Sequence, residues 1–184
     1  MCNSTTASPT SSHLLPGGRD VKWTIRPVTP EATDEVVAFI NKARQDMFPT
    51  LHTQLAADVA RWIESGTFLV ARDGNGGLGG RIIGTVGFVP YDHRFSQLDY
   101  RDVTVAEVVR LYVVPGWRRG GLGAALFRAL KQEALKGGLD LLYLHTHLFL
   151  PGAVRFWEDK GFEILFVEED PVWKTTHMQM VLGS

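Results

Sequence analysis

The run Val113-Val114-Pro115-Gly116-Trp117-Arg118-Arg119-Gly120-Gly121-Leu122-Gly123-Ala124-Ala125-Leu126 changes character in its middle. β-Branched residues stop at Pro115, a turn rich in glycine and arginine follows, and an apolar helical period begins at Leu122. A strand therefore hands over to a helix across a short turn. Glycines let the backbone approach a ligand closely and point successive N–H groups inward. The helix start adds unpaired donors and about half a positive charge. With Arg118 and Arg119 beside them, the natural guest is a diphosphate. A tight, glycine-lined helix entry without a ligand is the plainer reading of the same residues. The run lacks the Gly-Lys-Ser/Thr ending of a Walker loop and the setting of a dinucleotide fingerprint.

Upstream, Val103–Val114 is the longest strand signal in the chain. In strand period Glu107 shares a face with Val103, Val105, Val109, Leu111 and Val113, as the only charge in an apolar row. An isolated carboxylate there is expected to have its pKa raised toward neutrality, which suits a general base. The competing reading is a strand-end glutamate paired with a nearby arginine. A β-bulge in the strand would also shift its register.

Working outward, the same periodicities give strands at Val21–Arg26, Thr67–Arg72, Arg81–Val89, Asp140–His147, Phe162–Glu168 and Lys174–Leu182. Helices are expected from Thr29-Pro30 onward, near Thr53–Glu64, over Gly121–Lys136 and over Pro151–Lys160. Asp73–Gly80 reads as a flexible glycine-rich linker of a hairpin, and Tyr91–Asp102 as a loop. The expected fold class is α/β, or mixed α+β. It has a central, largely antiparallel twisted sheet of about seven strands with helices on both faces.

Hydrophobic residues make up 45% and charged residues 21% of the 184, the balance of a globular domain. Residues 21–184 form one domain in this reading. Residues 1–20, rich in Ser, Thr and Pro, read as a disordered tail with neither the pattern of a secretory signal nor the several arginines of a transit peptide. A net charge of -1 offers no basic field for nucleic acid or an anionic membrane. No apolar run reaches the ~20 residues of a membrane span. A single cysteine, Cys2, excludes a disulfide framework. A cytoplasmic monomer or homodimer is expected. His145 and His147 share a strand face with Tyr143, but no third ligand accompanies them, so no metal is expected.

At this point the chain resembles the GNAT superfamily of acetyl-CoA-dependent N-acyltransferases. The strand Glu107–Val114 followed by Arg-Arg-Gly-Gly-Leu-Gly-Ala resembles the family's Gln/Arg-x-x-Gly-x-Gly/Ala motif. Ala153-Val154-Arg155-Phe156-Trp157-Glu158-Asp159-Lys160-Gly161-Phe162 resembles its Ala-x-x-Phe-Tyr-x-x-x-Gly-Phe segment. The resemblance implies acetyl-CoA as cosubstrate, with its pyrophosphate on the backbone of Arg119, Gly120, Gly121, Leu122, Gly123 and Ala124 and on the charges of Arg118 and Arg119. It implies that Leu111, Tyr112 and Val113 pair with the pantetheine arm and that Phe156 and Trp157 flank its thiol end. A core aromatic is an equal reading of Phe156. Glu107 precedes Arg118 by eleven residues, the spacing of the family's catalytic glutamate in its histone-acetylating branch.

Trp157 stands where many relatives carry a tyrosine acid, and an indole N–H is not a usable acid. Water, the substrate's own proton, Tyr112 or His147 would then protonate the leaving thiolate. The acceptor would be a small or terminal primary amine, received by Gln45–His52, by Tyr91–Tyr100 including Tyr91 and His93, by His145 and His147, and by Glu168–Trp173. A plain charged hairpin tip explains the last segment equally well. A catalytically idle acyl-CoA sensor of the same fold is the alternative that Trp157 favours.

Overall fold

The computed structural model describes residues 10–14, 20–47, 56–74, 80–148, 150–170 and 173–183. In order these form β1 (Thr10–Leu14), β2 (Asp20–Pro27), α1 (Thr33–Met47), α2 (Ala56–Ser65), β3 (Thr67–Asp73), β4 (Ile82–Pro90), β5 (Val105–Val113), α3 (Leu122–Lys136), β6 (Leu141–His147), α4 (Ala153–Glu158), β7 (Glu163–Val167) and β8 (Thr175–Val181). Strand order is β1-β2-β3-β4 and then β5-β6-β8-β7. The β1–β2, β2–β3, β6–β8 and β7–β8 pairs are antiparallel, and β5 runs parallel to β6. The mixed, largely antiparallel sheet is the expected one. Among the described residues no helix is long and apolar enough to cross a membrane.

Two compact units can be distinguished. One is drawn from the described residues up to Gly87 together with Arg110–Leu130, the other from Phe88–Val109 together with the described residues from Lys131 onward. In the first, β3 buries Phe68, Leu69, Val70 and Ala71 in succession, and β4 buries every position from Ile82 to Gly87. Continuous burial marks strands covered on both faces. Val36, Ile40 and Ala43 form the buried stripe of α1, and Leu122, Leu126 and Leu130 that of α3, both at helical spacing. Each fully buried leucine stabilises the fold by about 1.5–3 kcal/mol relative to exposure.

In the second unit the register sets Tyr143 opposite Gln179, His145 opposite His177 and His147 opposite Thr175. Side chains alternate along strands, so these six residues share one face. The other face carries Leu142, Leu144, Met178 and Met180, all buried. Gly161, at φ 93°, ends α4 in the left-handed conformation that glycine adopts without strain.

β1 departs from the expected tail. Thr10–Leu14 pair with Asp20–Thr24 through the backbone, and Thr-Ser-Ser-His shows no apolar alternation by which a sequence reading could find it. The rest of that tail lies outside the described residues, as do residues 48–52 of the expected acceptor segment, 75–79 of the glycine-rich linker and 171–172 of the last hairpin.

Candidate active site

The turn between β5 and α3 lies in the first unit. A 3-10 turn at Pro115–Trp117 closes with Trp117 N–H donating to Val114 C=O (2.8 Å) and Arg118 N–H to Pro115 C=O (3.2 Å). Trp117 sets its ring edge-on against the buried Trp23 at 6.5 Å, which anchors the turn. Arg119 (φ 61°) and Gly121 (φ 81°) then take left-handed conformations, and α3 follows at Leu122. Ala125 N–H donates to Gly121 C=O at 2.9 Å, so the N–H groups of Leu122, Gly123 and Ala124 precede the helical ladder. Alternating backbone conformations of this kind gather N–H groups into an anion-binding concavity. Leu122, 1% exposed, points its side chain inward. Arg118 and Arg119 are exposed. Arg118 lies back along β5, its Nε donating to Val113 C=O (2.8 Å) and its guanidinium 5.4 Å from the Tyr112 ring centre. This donor set suits a diphosphate.

β5 does not keep a strict alternation. Arg110 sits at φ 56° in mid-strand, and its carbonyl accepts a 2.9 Å hydrogen bond from the buried Thr85 hydroxyl. Tyr112 is buried edge-on to Phe39. That packing gives it a core role at this position. The apolar row expected around Glu107 therefore breaks at Arg110, and Val103 lies outside the strand, 42% exposed.

Glu107, in the second unit, is 4% exposed and is not isolated. Both guanidinium nitrogens of Arg94 donate to its carboxylate, at 2.7 Å and 2.6 Å. Nδ1 of His145 lies 3.0 Å from Oε1. Arg94 also binds Asp92 (2.8 Å) and stacks on Phe95. Burial alone pushes the Glu107 pKa up, but the His145 imidazole and the Arg94 guanidinium overcome it and hold it at about 2. The expectation of a raised pKa is overturned. The missing term is a cation thirteen residues upstream, and a carboxylate so held is a poor proton acceptor.

Beside it, the Tyr143 hydroxyl lies 2.7 Å from His177 Nδ1, and His177 Nε2 lies 3.1 Å from Glu168 Oε1. Tyr143 and His177 are wholly buried. Burial raises the tyrosine pKa and lowers that of His177. The phenol therefore donates to Nδ1, and the neutral imidazole donates Nε2–H to Glu168. His147, its pKa also lowered by burial, meets Trp173 at a ring distance of 5.4 Å. Among the described residues no set of three or more acidic, histidine or cysteine side chains is placed to hold a metal ion.

Residues 37–162, more than half of the chain, match the family model for the acetyltransferase (GNAT) family. The chain belongs to the GNAT family. An uncharacterized N-acetyltransferase of Methanocaldococcus jannaschii is 30% identical over 143 residues, covering 77% of this chain and 61% of that protein. The GNAT chain thus spans about three fifths of that relative's length. Ard1 from Thermoplasma volcanium superposes with a TM-score of 0.65 at 22% identity, over 88% of this chain and 99% of the other. The yncA protein of Salmonella typhimurium, solved with its cofactor acetyl-CoA, gives 0.65 at 18% identity, over 88% and 95%. At these identities the likeness establishes the fold.

Several expected site residues take structural places in this GNAT chain. Tyr91 is buried with Tyr100, Val105, Leu141 and Tyr143, and its hydroxyl accepts Phe95 N–H at 3.3 Å, so it shapes the loop from below. His93 is exposed beside it, with ring centres 5.2 Å apart. Trp157 is buried edge-on to Phe156 and Phe162, a core position, whereas Phe156 is half-buried. Arg94 and Glu168, from two of the expected acceptor segments, and His177, outside them, complete the polar face. His177 was findable from the alternation of Thr175, His177 and Gln179 along β8. Arg94 had no local signal beyond its place in an aromatic loop.

Proposed function

We propose that this chain is an N-acetyltransferase that moves an acetyl group from acetyl-CoA to a primary amine by direct attack in a ternary complex. The observation that carries the reading is the left-handed pair Arg119 and Gly121 leading into the N-terminus of α3. Those backbone N–H groups and the two arginines would hold the diphosphate, and the amides of Leu111, Tyr112 and Val113 would face the pantetheine arm. Bound acetyl-CoA would supply the activated acyl group as a thioester.

An amine of pKa near ~10.4 must lose a proton before it attacks, at a cost of about 4–5 kcal/mol at pH 7. His145, one-third exposed above the buried carboxylate, is the group we assign to take it. Asp92 and Glu107 carry two negative charges and Arg94 one positive, so the cluster has a net charge of -1. One more proton on His145 neutralises it. Glu107 thus positions the imidazole and balances the imidazolium, as a buried carboxylate does behind a catalytic histidine. The ammonium proton passes to Nε2, and its bonding pair stays on the amine nitrogen.

The test is thiol release from acetyl-CoA across spermidine, lysine and a short peptide with a free N-terminus. Release with at least one amine supports the reading, and His145→Gln should lower kcat about 100-fold with acetyl-CoA binding retained. The buried Trp157 favours a second reading, a non-catalytic acyl-CoA sensor. Tight acetyl-CoA binding without thiol release from any amine would establish that one.

A further inference from the structure

Arg110 is the position in β5 that pays most for its conformation. The left-handed conformation is strained for a residue with a side chain, and such strain persists only where the surroundings over-determine it. The surroundings here can be named. The Thr85 hydroxyl donates to the Arg110 carbonyl at 2.9 Å, and the guanidinium lies 4.8 Å from the Trp62 ring centre. Val114 N–H donates to Ile83 C=O at 3.0 Å beyond the distortion. Next to Thr85, Gly84 leaves room for β5 to approach. A Cβ there would lie 3.0 Å from the Tyr112 carbonyl and 2.9 Å from Leu126 Cδ1.

Thr85 itself needs explaining. It is 0% exposed in a strand whose other buried side chains are Ile82, Ile83, Val86 and Val89, and valine would fill the same volume. Most buried hydroxyls are kept with a partner. The partner found is the carbonyl of the strained residue.

We propose that Thr85 is a positioning residue for the acyl donor: its hydroxyl holds the Arg110 carbonyl, keeps Arg110 left-handed, and so sets the aim of the Leu111, Tyr112 and Val113 amides. The inference rests on the proposed function for what those amides face, and on the geometry of β4 and β5 for the rest. Thr85 touches no reacting atom and acts through the backbone of β5.

The experiment compares Thr85→Val, Thr85→Ser and Arg110→Gly in the full chain. The readouts are acetyl-CoA affinity by calorimetry, kcat with the accepted amine of the panel above, and the Arg110 amide–Hα coupling by NMR, which reports φ. Thr85→Val should lower kcat about tenfold with affinity within threefold of native, and shift the coupling to that of extended backbone. Thr85→Ser should keep both. In the Arg110→Gly background, where a left-handed residue is unstrained, Thr85→Val should cost less than twofold, which also covers a single variant that fails to fold. Native kcat, an unchanged coupling in Thr85→Val, or an equal loss in the glycine background would overturn the inference. Failure of the native chain to bind acetyl-CoA would instead remove the proposed function, and this inference with it.

Discussion

Arg94 and Glu107 form a two-pronged ion pair, at 2.7 Å and 2.6 Å, in which the glutamate side chain is buried and the arginine side chain is 37% exposed. The pair ties an irregular loop to the start of β5 and fixes the charge against which His145 sits. It also changes what Glu107 can do. With its pKa held at about 2, the carboxylate is a weak proton acceptor.

The first prediction concerns acid stability. Glu107 has its folded pKa depressed to about 2 from 4.5, so its contribution is present above the unfolded value and is lost as pH falls from 4.5 toward 2. Urea titrations should show stability falling across that window. Glu107→Gln should be less stable than native at pH 7, by about 2–4 kcal/mol, with the difference closing at low pH.

Removing the cation instead exposes the opposing force. In Arg94→Met the carboxylate stays buried without its guanidinium partner, and burial then pushes its pKa upward. Carbon-13 NMR of the Glu107 carboxyl should report that rise. A value that stays near 2 would mean that His145 alone holds the carboxylate down.

Histidine burial gives a second, milder pH dependence. His147 and His177 have folded pKa values below the ordinary 6.5, so the unfolded chain takes up protons first as pH falls. Stability should decline below about 6.5 and continue to fall toward the folded pKa values. Tyr143→Phe removes the donor to His177 Nδ1 and should cost about 1–3 kcal/mol at pH 7. Thermal unfolding at several pH values checks both.

Much of this was legible in the residues, because local signals set it. The turn from Arg118 to Ala124 announces itself by glycine content and by the change of period at Leu122. The long β5 follows from its β-branched run. What stayed hidden depends on contacts distant in sequence. Arg94 reaches Glu107 across a loop without periodicity, and Tyr143 reaches His177 across thirty-four residues. Facing on β5 misled past Arg110, because a residue at φ 56° interrupts an alternation that sequence alone must assume is unbroken. β1 pairs through its backbone, with no apolar pattern to betray it.

Gly121 offers a backbone prediction. A Cβ there would meet nothing within 4 Å, so the cost of Gly121→Ala is conformational, about 1–2 kcal/mol at φ 81°. Because the same dihedral aims the amides at the start of α3, acetyl-CoA affinity should fall more than tenfold. A stability loss with native affinity would separate the turn from ligand binding.

The most direct measurement is the melting temperature of the native chain and of an Arg118→Ala/Arg119→Ala variant, with and without acetyl-CoA. At 100 times its Kd the ligand should stabilise the native chain by about 2.7 kcal/mol, a rise of several degrees, with little rise in the variant at the same concentration. No rise in the native chain at millimolar acetyl-CoA, or an equal rise in both proteins, would contradict the account.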